Sequence, residues 1–92
     1  MVSAFVLIRA EPRRIADLAS ELADVDGVAE VYSTAGDADV VAVVRVRRHE
    51  DLADVVTRRV GSLDGILDTR TLVAFQAFSR HDLETMWDLG EG

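Results

Sequence analysis

A chain of 92 residues with 49% hydrophobic content forms a single domain, buries only roughly 60 to 65% of its unfolded surface, and gains stability from association. Its net charge of −7, with ten basic residues that are all arginine and sit among carboxylates, argues against direct binding of nucleic acid. The absence of cysteine excludes disulfides, thiolate catalysis and cysteine-ligated metals.

The opening run MVSAFVLIRAEPRR places its apolar residues before its basic ones and is too short for a secretory leader. No stretch approaches the ~20 apolar residues of a membrane span, so a cytoplasmic protein with no membrane partner is expected. Val2 to Arg9 is β-branched and aromatic with almost no polar break, the pattern of a strand buried on both faces. Pro12 then starts a helix in which Ile15, Leu18, Ala19 and Leu22 follow the i, i+3, i+4, i+7 rule, ending at Asp26–Gly27.

Val28 to Thr34 reads as a second strand, Gly36–Asp37 turns it back, and Val40 to Val46 (VVAVVRV) gives the strongest strand signal of the chain. The helical face of Leu52, Val55, Val56 and Val60 predicts a second helix over Glu50 to Val60. Its β-branched residues disfavour helix, so packing on the sheet must decide its conformation. Gly61 ends it, and Leu72 to Phe78 closes a fourth strand that can begin as early as Ile66. Leu83, Met86 and Trp87 predict a short terminal helix, a hydrophobic stripe rather than a cofactor box.

The order strand, helix, strand, strand, helix, strand is reinforced by an internal echo: VDGVAEV at 25–31 and LDGILDT at 63–69 each follow a helix and open a strand. Two such halves describe an α+β, ferredoxin-like βαββαβ fold with a four-stranded antiparallel sheet and both helices on one face. The domain is expected to span residues 1–80, with 81–92 as a helical tail. Phe5 and Leu7 make the other face of the first strand apolar as well, which predicts a second copy packed on it in a dimeric α/β sandwich or barrel.

At this point the chain resembles the effector-binding RAM domain of the Lrp/AsnC feast/famine transcriptional regulators, over roughly Val2 to Phe78. Two stretches carry the resemblance. One is Gly36-Asp37-Ala38-Asp39 leading into VVAVVRV, and the other is DGILDTRTLVAF from Asp64 to Phe75. Full regulators of the family carry an N-terminal helix-turn-helix; this chain, starting at the first strand, is similar to the stand-alone members without the DNA reader. The resemblance implies a dimer that associates further into a ring or disc, a small effector such as an amino acid between subunits, no direct DNA binding, and an output through full-length Lrp/AsnC regulators.

The candidate ligand-binding residues are Thr34, Gly36, Asp37, Asp39, Thr69 and Thr71. Each also has a plain reading. Glycine and aspartate are ordinary turn residues, and threonine favours strands for its β-branch. The functional reading has backbone N–H groups taking a ligand carboxylate and an aspartate taking its ammonium. His49 and His81 sit apart in charged surroundings, and no metal-ligand spacing, nucleophile elbow or phosphate loop is present, so no metal, cofactor or catalytic residue is expected. The leading expectation is a non-catalytic regulatory module. A small dimeric enzyme of the cofactor-free monooxygenase or isomerase type and a purely structural assembly partner remain as alternatives. An amino-acid sensor of the ACT type shares the element order, but places glycine where this chain has Ala10-Glu11-Pro12.

Overall fold

The computed structural model describes residues 1–78 and Arg80. Strand β1 (Val2–Ala10) leads through a 3-10 turn at Pro12–Arg14 into helix α1 (Ile15–Ala23), followed by β2 (Val28–Ser33) and β3 (Val40–Val46). Helix α2 (His49–Ala53) continues as a π-helical segment, Asp54–Val60, before β4 (Ile66–Ala74). The strands form one antiparallel sheet in the order β2-β3-β1-β4, the ferredoxin-like arrangement expected.

Strand alternation assigns the two faces. Ala4, Val6, Ile8 and Ala10 of β1 are buried with Val40, Ala42 and Val44 of β3 beneath Leu18 and Leu22 of α1 and Leu52, Val55 and Val60 of the second helical segment. Small and large residues face each other across the central pair, Ala4 with Val44 and Val6 with Ala42, so the layer stays level under the helices. The opposite face carries Ser3, Phe5, Leu7 and Arg9 of β1 beside Asp68, Arg70, Leu72 and Ala74 of β4.

The internal echo has a structural counterpart. Gly27 and Gly65 adopt φ of +97° and +93°, the backbone region that glycine enters without strain, just before β2 and β4. Arg14 closes the second of these corners: its guanidinium donates to the Asp64 carbonyl and pairs with Glu21 at 2.7 Å, while Glu11 N–H donates to the Gly65 carbonyl.

Several boundaries differ from the sequence reading. The predicted helix over 50–60 is α-helical only to Ala53 and then widens, with Gly61 N–H bonding back five residues to the Val56 carbonyl. Val55, Val56, Thr57 and Val60 crowd the preceding turn of an α-helix, and the wider coil keeps Val55 and Val60, five apart, both buried. Strand β4 begins at Ile66 and ends at Ala74, leaving Phe75 to Phe78 irregular and both phenylalanines exposed. Helix α1 stops at Ala23, ahead of the turn through Gly27. The terminal helix expected around Trp87 lies outside the described residues.

Replacing fully buried Leu22 by alanine is expected to cost about 2–5 kcal/mol in urea unfolding. Ser20→Ala, on the exposed side of the same helix, should stay within about 0.5 kcal/mol of wild type.

Candidate functional site

The turn between β2 and β3 is built by hydrogen bonds at its base. Thr34 N–H donates to the Asp39 carbonyl at 2.9 Å, and the Thr34 hydroxyl donates to the Ala38 carbonyl at 2.8 Å. Asp39 then grips β1 twice. Its N–H donates to the Ile8 carbonyl and its Oδ2 accepts from Ala10 N–H, each at 2.9 Å. Residue pairing between β1 and β3 runs only to Ile8 and Val40, so the Asp39 carboxylate takes the backbone donor that the ladder no longer satisfies.

At the tip, Gly36 has φ of +112° with open space where a Cβ would sit, so backbone conformation, and not crowding, calls for glycine. Among the described residues the N–H groups of Gly36 and Asp37 make no hydrogen bond. The tip overhangs an open depression of about 450 Å³ lined by Leu7, Arg9, Gly36, Asp37, Asp68 and Arg70. Cross-strand register explains the grouping: Arg9 lies opposite Asp68 and Leu7 opposite Arg70, all on the helix-free face. None of these four charged side chains is ion-paired within the described residues. The depression thus presents unpaired charges of both signs beside free backbone donors, the complement of a small zwitterion.

The sequence candidates divide. Gly36 and Asp37 line the depression. Thr34 and Asp39 spend their side chains on the turn and on β1. Thr69 and Thr71 pair with Ile8 and Val6, on the side that carries the helices, where both are exposed. Arg9, Asp68 and Arg70 were not among the candidates. Asp68 and Arg70 interleave the two threonines, so alternation in β4 was the signal that these two pairs face opposite ways.

Further along the same face, Glu30 accepts from the Tyr32 hydroxyl and from Arg45 Nη1 at 3.1 Å. These contacts, Tyr32 first, hold the Glu30 carboxyl below its usual value, and the bond to Glu30 raises the Tyr32 hydroxyl above 10. Among the described residues no group of three or more His, Asp or Glu side chains is placed to hold a metal ion, and no helix is long and apolar enough to cross a membrane. His49 is exposed at the start of α2, and His81 lies outside the described residues.

The family described as the Lrp/AsnC ligand binding domain matches residues 3–83. The chain is 32% identical over 75 residues to the HTH-type transcriptional regulator FL11 of Pyrococcus furiosus, a match covering 82% of this chain and 49% of the regulator. It therefore spans about half the length of the curated relatives it matches. Among solved structures, TTHA0845 of Thermus thermophilus superimposes with a TM-score of 0.82 at 48% identity, covering 87% of this chain and 100% of that one. The feast or famine regulatory protein Rv3291c of M. tuberculosis, complexed with L-methionine, gives a TM-score of 0.72 at 29% identity over 86% of this chain and 53% of that one.

Two measurements check this geometry. Asp39→Ala should cost about 1–3 kcal/mol in chemical denaturation because it orphans Ala10 N–H, Asp39→Asn should recover most of that through its remaining acceptor oxygen, and Asp37→Ala should stay within about 0.5 kcal/mol of wild type. The second is a titration. An ultraviolet titration of the single tyrosine should show ionisation above pH 10, returning toward 10 in Glu30→Gln. With the folded Tyr32 value raised, its contribution to stability is complete below the unfolded value and fades as pH rises through the folded one. Glu30, lowered, behaves oppositely: its contribution is present above about 4.5 and is lost as pH falls through the folded value.

Proposed function

Because the chain belongs to the Lrp/AsnC ligand-binding domain family, we propose that it is a non-catalytic effector-sensing module that binds an amino acid beside the Gly36–Asp37 turn. The observation that carries this reading is the depression itself, lined by Asp37 together with Arg9 and Arg70, with Asp37 not ion-paired and two turn N–H groups not hydrogen-bonded among the described residues. The effector carboxylate meets the N–H groups of Gly36 and Asp37, and its ammonium meets the Asp37 carboxylate. Thr34 and Asp39 position the turn. Thr69 and Thr71 lie on the other face of β4 and do not line the depression. The relation to a regulatory protein complexed with L-methionine supports an amino acid as the effector class.

The helix-free face supports self-association. Phe5, Tyr32 and Leu72 are 41%, 50% and 56% exposed there, around half-buried Leu7 and Val41. A second copy laid on this face removes that apolar surface from water and walls in the depression, and further association builds the ring or disc. The output is modulation of transcription through full-length regulators, of which relatives such as FL11 are examples.

The test is light scattering combined with thermal melting in each of the twenty amino acids. The protein should be a dimer or larger, and at least one amino acid at a hundredfold excess over its Kd should add about 2.7 kcal/mol of stability, a melting shift of roughly 10 °C or more. Asp37→Ala should weaken that response tenfold or more while leaving the unliganded melting temperature in place. A monomer at micromolar concentration that no amino acid stabilises would overturn the reading.

A further inference from the structure

The depression is richer in charge than the main chain of an amino acid can use. Resting on the effector reading above, the turn takes both charges of the backbone: the Gly36 and Asp37 N–H groups hold the carboxylate and the Asp37 side chain holds the ammonium. The wall left facing the effector's side chain is then Arg9, Asp68 and Arg70, with Leu7 as the one apolar residue of the lining.

That wall is arranged by the strands and is not a random surface. Arg9 and Asp68 are directly opposite in the β1–β4 register, as are Leu7 and Arg70, so Arg70 stands diagonal to Arg9 across the pair. Neither arginine is ion-paired within the described residues, whereas Arg14, Arg45, Arg48, Arg58 and Arg59 all are. Two guanidinium groups and one carboxylate give the wall a local excess of one positive charge. An aliphatic side chain lodged there would strip water from these groups without replacing its hydrogen bonds, and an ammonium side chain would meet the excess positive charge. A carboxylate or carboxamide offers the acceptor oxygens that a guanidinium fork fits, and a carboxamide offers Asp68 a donor as well.

We infer that the side chain of the effector ends in a carboxylate or carboxamide, and that Arg70, with Arg9, selects it. An aspartate, asparagine, glutamate or glutamine fits this wall; leucine and methionine do not. The L-methionine complex of the relative is no guide here, since selection depends on which residues line the wall of each chain.

Calorimetric titration of the full chain with glutamate, glutamine, aspartate, asparagine, leucine, methionine and lysine tests this. At least one of the first four should bind about tenfold or more tightly than any of the last three, the factor expected when a polar site is left unsatisfied by the wrong ligand. Arg70→Met keeps the length of the stem on an edge strand and removes the charge. It should bring the preference below about threefold with the unliganded melting temperature retained, and Arg70→Lys should keep part of it. Leucine or methionine binding as tightly as the acidic and amide amino acids, or a preference that survives Arg70→Met, would overturn the inference and leave the effector reading standing. Binding of no amino acid at all would overturn both.

Discussion

The double hold of Asp39 on the end of β1 is the contact on which the candidate site depends. Strand β1 is the centre of the sheet, bonded to β3 on one edge and β4 on the other, and its partner β3 begins only at Val40, opposite Ile8, while β1 continues to Ala10. A central strand that outruns its neighbour exposes a backbone donor at the rim of the core, and a buried donor without a partner costs more than an ordinary hydrogen bond returns. The residue just before β3 supplies both an N–H for the Ile8 carbonyl and a carboxylate for Ala10 N–H. The turn is thereby fastened to β1, and its tip is brought to Arg9.

From that anchor the two faces of the sheet take separate roles. One is spent on stability, with alanines and valines under the two helices and no polar side chain among its buried residues. The other is divided between an apolar stripe around Phe5 and Leu72 and a charged end around Arg9, Asp68 and Arg70. A domain of this size gains from covering the stripe, and covering it also encloses the charged end. Under the proposed reading, self-association and effector binding would share this one surface, so that occupancy of the depression and assembly would influence each other.

The elements with strong periodicity were legible from the residues. VVAVVRV is β3 as read, the two glycine echoes open β2 and β4, and Leu18 and Leu22 face the core. The second helix was legible as a buried face but not as a π-helical coil, because propensity ranks residues for helix against strand and is silent on how β-branched neighbours share a turn. Gly36 and Asp37 could be found as a turn bearing charge. Their different fates from Asp39, two residues on, could not, since that depends on where β1 ends relative to β3.

By itself the sequence determined the element order, the helix-covered face and the chemistry of the β2–β3 turn, because these are set by spacing along the chain: a period of two, a period of 3.6, and glycines where φ turns positive. The tertiary structure decided which charges meet. Arg9 and Arg70 are 61 positions apart in sequence, and only the β1–β4 register places them diagonally on one face while sending Thr69 and Thr71 to the other. Register is a long-range choice made by burying one set of alternating side chains, and a shift of one residue would have exchanged the two faces of β4 and with them the lining of the depression.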